Sequence, residues 1–467
     1  MLSEVKRDND SFRFDSEYFK REYLSFYKNL KSKKYMILGD DGDIKGGKRL
    51  PLGEEFVTKG IPYIRAEDNK KGFVDFESSP KITEALHKKL KSYQTNFNDI
   101  LVTNVGNSIG DVGIVKFKID KCNLTENCIK IINLKQNNTN YIFSFLNSKY
   151  GNLQILREMV GTAQPKLAIE RVRNFIIPIL SQTFQSKIEN LVTSSHTKLE
   201  QSKTLYKQAE DLLLEELDLK NFKPSTENIA IKSFSESFGI TGRLDSEYYQ
   251  PKYDEVLEKI KKSNFDKLGN LVNIKKSIET GSEAYADNGV KYMRVSNLTK
   301  FGISESSISI PFEYFNLEKK DKNGETELDR LLPKKDTVLL SKDGTVGISY
   351  VVKNETNFIT SGAILHLNIK DEKSLLPEYL SLVLNSLVVK MQSDRDAGGS
   401  IIKHWKPSEI SNVLIPKIDF EIQTKIENLI KTSFQLKEKS KQLLEIAKKS
   451  VEIAIEKDEN SAMEFIK

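Results

Sequence analysis

The chain has 467 residues, 38% of them hydrophobic and 30% charged, with a formal net charge of +6 and an isoelectric point near 8.8. That length exceeds one ordinary core and suggests roughly two to four domains, while the mild basic excess permits nucleic-acid binding without demanding it. Two cysteines, Cys122 and Cys128, and four singly scattered histidines (His87, His196, His366, His404) supply no zinc set and fit a reducing compartment. The charged N-terminus and short apolar runs give neither a signal peptide nor a membrane span, so a cytoplasmic protein is expected.

In chain order, the pattern first predicts a helix over Ser16–Leu30. Next comes YMILGDDGDIKGGKRLPLGE (Tyr35–Glu54), where Gly42, Gly47 and Lys48 have the spacing of a phosphate-binding P-loop. Arg49, however, stands where a Ser or Thr should hold magnesium, and Pro51 soon interrupts the helix that should begin at the lysine. Short β-like runs follow (ILVT, GIVKF, CIKIINL), broken by Gly and Asn turns, then a helix at Tyr141–Ser148. Gln182–Leu217 contains no Gly or Pro and is rich in Lys and Glu. It sets Phe184, Ile188, Leu191, Ser195, Lys198, Ser202, Leu205, Ala209 and Leu212 at spacings of four and three, the seam of a helix that wants a partner.

From Arg243 the chain is written a second time. RFDSEY (Arg13–Tyr18) returns as RLDSEY (Arg243–Tyr248) and LGD (Leu38–Asp40) as LGN (Leu268–Asn270), both at an offset of 230. DILVTNVGNSIG (Asp99–Gly110) returns as DTVLLSKDGTVG (Asp336–Gly347) at 237. YIFSFLNS (Tyr141–Ser148) becomes YLSLVLNS (Tyr379–Ser386), and QSKIENLV (Gln185–Val192) becomes QTKIENLI (Gln423–Ile430), both at 238. The P-loop spacing is lost in the second copy, LGNLVNIKKSIETG (Leu268–Gly281), which argues further against a nucleotide site. The second copy also ends in a helix-like stretch, Phe420–Glu456, with Ile422, Ile426, Leu429, Ser433, Leu436, Ser440, Leu443, Ala447, Val451 and Ala454 in the same frame. Two such helices, each roughly 55 Å long, are expected to pair antiparallel and hold two mixed α/β globules at opposite ends of a rod with approximate two-fold symmetry.

At this point the residues carry a resemblance. ILGDDGDIKGGKRLPLGEEFVTKGIPYIRAEDNKKG, DILVTNVGNSIGDVGIV and GTAQPKLAIERVRNFIIPIL, with YMRVSNL, DTVLLSKDGTVGISYVV and GGSIIKHWKPSEISNVLIPKI in the second copy, resemble the specificity subunit of Type I restriction-modification systems. The likeness runs from Arg13 to about Glu456. It implies two target-recognition domains, 1–181 and 243–418, two spacer helices, 182–220 and 419–456, a linker at 221–242 and a tail at 457–467. It further implies that the chain reads a bipartite, asymmetric site in double-stranded DNA, docks methyltransferase subunits and joins restriction or translocase subunits. S-adenosylmethionine, and ATP with magnesium, would then belong to those partners, with no cofactor in this chain.

Phosphate contacts want Lys, Arg, Asn, Ser, Thr and free backbone N–H groups; base reading wants Arg, Lys, Asn and Gln on well-held loops. The candidates in the first copy are Lys48, Arg49, Arg65, Asn104, Asn107, Ser108, Gln164 and Lys166; in the second they are Lys275, Lys276, Arg294, Ser341, Lys342, Thr345, Lys403 and His404. Gly106, Gly110, Gly344 and Gly347 read as turn formers, and Trp405 as core. No methyltransferase tetrapeptide, HExxH or intact Walker loop occurs, so no catalysis is expected of this chain. The open alternatives are a Type IIB-like system, and a protein-interaction scaffold with incidental charge.

Overall fold

The computed structural model describes residues 13, 15–117, 121–161, 165–399 and 402–466. They form two compact units, one taking residues up to Glu200 together with those from Leu436 onward, the other Gln201–Gln435. Both are mixed α/β, and each of the two repeats ends in a long helix, Gln182–Glu216 and Phe420–Glu456.

The first unit is organised by a five-stranded sheet in the order Asp43–Gly46, Cys128–Ile132, Ile100–Thr103, Val112–Ile114, Gly72–Phe73. All neighbours run antiparallel except the last pair. The strand Ile100–Thr103 is buried on both faces. Ile100 and Val102 face a large core shared with helices Thr139–Asn147 and Lys149–Glu158, whereas Leu101 joins a smaller cluster with Ile64, Leu124 and Cys128. In the second unit a four-stranded antiparallel sheet runs Val272–Lys276, Ile364–Ile369, Val338–Ser341, Ser349–Val351. There Val338 and Leu340 face the helices, and Leu339 packs with Leu298, Val352 and Ile364.

Polar clamps recur at matching places. Tyr141 donates its hydroxyl to the Pro178 carbonyl at 2.6 Å, and Tyr379 does the same to Pro416 at 2.7 Å. The Gln154 amide brackets the backbone of Ile176, as Gln392 brackets Leu414. Such buried, fully used amides fix each helix pair against its sheet edge.

Two serine layers join the long helices. Ser195 Oγ lies 2.9 Å from Ser440 Oγ within the first unit, and Ser202 Oγ 3.0 Å from Ser433 Oγ within the second. The small side chains let the backbones approach, and each hydroxyl finds a partner.

Three boundaries differ from the sequence reading. The helix expected over Ser16–Leu30 is a single turn, Ser16–Phe19, and a separate helix, Arg21–Lys31, because Lys20 is extended at ψ 138°. The first long helix stops at Glu216, short of 220, where Asp218 takes a φ of +52° and Leu219 N–H closes back on Leu214. Residues read as a tail include a helix, Glu459–Ile466, whose Ala462 is buried in the first unit's core.

Candidate nucleic-acid interface

Candidate stretches of the first unit converge on one turn, Leu124–Asn127. Lys48 N–H donates to the Leu124 carbonyl at 2.9 Å, Thr125 N–H to Ile64 at 2.9 Å beside Arg65, and Asn104 N–H to Asn127 at 3.0 Å. The Asn104 carbonyl in turn accepts from Leu167 N–H at 3.0 Å, and Lys166 makes backbone bridges with Val105 and Val160. Ser108 Oγ reaches the Ala66 carbonyl at 3.5 Å, while Asn107 is exposed. Gln164 lies outside the described residues.

The second unit repeats the construction around Ser361–Ala363. Ser361 N–H donates to Met293 at 2.8 Å beside Arg294, Lys342 N–H to Ala363 at 2.8 Å, and Trp405 N–H to Lys342 at 2.8 Å. His404 bridges Asp343 and Gly398. Gly344 N–H donates to Lys403 at 2.9 Å, leaving Thr345 exposed at the loop tip. Gly106 and Gly344 both sit at positive φ, +110° and +72°, where a side chain would strain each loop.

These matched bonds correct two pairings made from sequence. Thr103 accepts from Gly110 N–H as Ser341 accepts from Gly347 N–H, so Ser341 corresponds to Thr103 and Lys342 to Asn104; the second loop is one residue shorter. Ser341 is 0% exposed, and its hydroxyl donates to Thr345 O and accepts from Ile348 N–H, which makes it the brace of the loop. Across the sheets, the row Lys45–Lys130–Leu101 matches Lys275–His366–Leu339. Lys275 is therefore the counterpart of Lys45, and its ammonium is bound to the Arg330 carbonyl. Trp405 is buried, as Leu167 is at the same position of the first unit.

Carboxylates accompany most of the candidate cations. Arg49 pairs with Glu126 at 2.6 Å, Arg65 with Asp68 at 3.1 Å and also with Glu67, Lys276 with Glu279 at 3.3 Å, and Lys403 with Asp394 at 3.1 Å. The hydrogen bond that the Arg65 guanidinium donates to Asp68 holds it above its ordinary pKa. Lys342 pairs with Asp343, whose second oxygen lies 2.8 Å from His404 Nδ1. Among the described residues Lys48, Lys166 and Arg294 are exposed and make no ion pair. Only Glu126 comes from a distant stretch of the chain; Glu67, Asp68, Glu279 and Asp343 lie within three residues of the cations they pair with.

The Gly42–Lys48 stretch is not built to cradle phosphate. Gly42, Gly47 and Lys48 donate their N–H groups to Leu38, Cys128 and Leu124 respectively, whereas a P-loop needs such groups free. A Cβ on Gly47 would lie 1.9 Å from the Thr125 carbonyl, so this glycine serves close approach of the chain to itself. Among the described residues no group of three or more His, Cys, Asp or Glu is placed to hold a metal ion, and no helix is long and apolar enough to cross a membrane.

Each unit thus presents a loop, a turn and a returning segment as one hydrogen-bonded platform, and the two platforms carry different exposed side chains. Residues 31–210 match the family model of the Type I restriction modification DNA specificity domain. Among solved structures it is similar to the S subunit of a Type I restriction-modification system from M. genitalium, at 15% identity and a TM-score of 0.39 over 93% of this chain and 95% of that one. It is also similar to the HsdS subunit from Thermoanaerobacter tengcongensis, at 14% identity and a TM-score of 0.28 over 91% and 97%. A third similarity is to the type IIG restriction endonuclease BpuSI, at 11% identity and a TM-score of 0.31 over 38% and 28%. No curated protein matches the chain.

Proposed function

We propose that this chain is the specificity subunit of a Type I restriction-modification complex, reading a bipartite DNA site whose two halves differ. The supporting observation is the twin platform: equivalent backbone bonds hold Asn104 and Lys342, Val105 and Asp343, and Lys166 and His404 at the same places. One frame carrying unlike side chains is what two unlike half-sites require. In this reading Lys48 and Arg294 meet phosphate and fix the register, and the loop tips at Asn107 and Thr345, with Lys166 and His404 beside them, face base edges. Methyltransferase subunits dock on the chain and hold S-adenosylmethionine; ATP and magnesium serve the restriction subunit.

Methylation mapping tests this in cells carrying the chain with its modification subunits, with and without the gene for this chain. The expected result is a methylated motif of two unlike halves around a fixed gap, lost when the gene is removed. An unchanged methylome with an active methyltransferase would overturn the proposal.

A further inference from the structure

We infer that Asp343 sets what His404 reads, so that the equivalent positions Lys166 and His404 ask opposite chemistry of the two half-sites. This inference rests on the DNA-reading role proposed above. Both residues occupy one place in the frame. Lys166 bridges Val105 and Val160; His404 bridges Asp343 and Gly398, with backbone bonds of 2.7 and 3.1 Å to Gly398 in the two directions. Each is exposed, His404 with 64% of its side chain accessible.

Their surroundings differ by one carboxylate. Lys166 has Val105 beside it, and among the described residues its ammonium makes no ion pair; it offers donors and no acceptor. His404 has Asp343, whose Oδ1 lies 2.8 Å from Nδ1 and whose Oδ2 is held by the buried Lys342 ammonium. A carboxylate so clamped only accepts, so Nδ1 carries the hydrogen of that bond, and in the Nδ1–H tautomer Nε2 is left as an acceptor. The other nearby cation, Lys403, is paired with Asp394 at 3.1 Å. In the major groove guanine shows only acceptors, whereas adenine and cytosine each show an amino donor. Lys166 therefore suits guanine, and His404, positioned by Asp343, suits adenine or cytosine.

The test is selection of bound duplexes from a randomised pool by the full chain assembled with its modification subunits. His404→Gln, which keeps an acceptor, should retain adenine or cytosine at one position of the second half-site. His404→Lys should turn that position to guanine. Asp343→Ala, which frees both tautomers, should relax the preference there by about tenfold, leaving the first half-site and the buried-tryptophan fluorescence unchanged. Unaltered base preferences in the His404→Lys and Asp343→Ala complexes would overturn the inference while leaving the DNA-reading role standing. A uniform loss of affinity with the same selected bases would mark Asp343 as merely structural and also overturn it. Selection of no bipartite motif by the wild-type complex would instead remove the role itself, and the inference with it.

Discussion

His366 should make the second unit acid-sensitive. It sits in the middle strand of the four-stranded sheet, between Lys275 and Leu339, is 2% exposed, and has Nε2 2.8 Å from Thr360 Oγ1. Burial, with a smaller contribution from the Lys275 charge, pushes its pKa down to about 4 from 6.5. The unfolded chain therefore takes up the proton first. Stability from this group is complete above the unfolded value and is lost as the pH falls from about 6.5 towards about 4. The full loss is about 3 kcal/mol, of which about 2 kcal/mol has gone by pH ~5. Trp405 is the single tryptophan and is buried in the same unit's core, so its fluorescence follows this unit. Urea unfolding at pH ~7.5 and pH ~5 should show wild type losing about 2 kcal/mol more than His366→Gln, which cannot titrate. Whatever the substitution itself costs at neutral pH cancels in that comparison. Equal losses in the two proteins would refute a buried neutral imidazole at this position.

The other predictions concern packing and charge. Gly47→Ala should destabilise the first unit by about 3 kcal/mol or more, since the new Cβ meets two backbone carbonyls at 1.9 and 2.4 Å. Gly53→Ala, at φ +84° with open space around it, should cost only about 1 kcal/mol; thermal melts of the two variants decide. At the helix seam, Ser195→Ala should cost about 1 kcal/mol, and adding Ser440→Ala should cost less than the sum of the single changes. Strict additivity in denaturant titrations would contradict the shared hydrogen bond. Arg49→Ala should leave stability within about 0.5 kcal/mol, because its pair with Glu126 is solvent-exposed. Lys48→Ala should lower the slope of log affinity against log salt by about one, and an unchanged slope would place its ammonium away from phosphate.

Much of the fold was legible because it rests on periodicity and repetition. The serines at Ser195, Ser202, Ser433 and Ser440 sit on the heptad seam and are buried there. Trp405 is core because its position in the frame is that of Leu167. The loop register was less legible. Matching Asp and Gly residues at the two ends of Asp99–Gly110 and Asp336–Gly347 imposed one uniform offset, which hid a deletion inside the loop and aligned Ser341 with Asn104. Only ladder hydrogen bonds reveal that shift, since they record which residues face each other across the sheet.

The charges were the least legible feature, and they alter the mechanism. A list of basic residues reads as a positive patch, yet Arg49, Arg65, Lys276, Lys342 and Lys403 each lie beside a carboxylate. Glu126 lies 77 residues from Arg49 and Asp343 61 from His404, so those two pairings are tertiary facts. A paired arginine must give up its carboxylate or share it before it meets phosphate, which weakens attraction that does not depend on sequence. The same carboxylates hold side chains in fixed orientations, and fixed donors and acceptors are what distinguish one base edge from another. If the chain reads DNA as proposed, a platform of this kind gives up non-specific affinity in favour of discrimination, and with only +6 on 467 residues the remaining attraction to DNA would have to come largely from the proposed partner subunits.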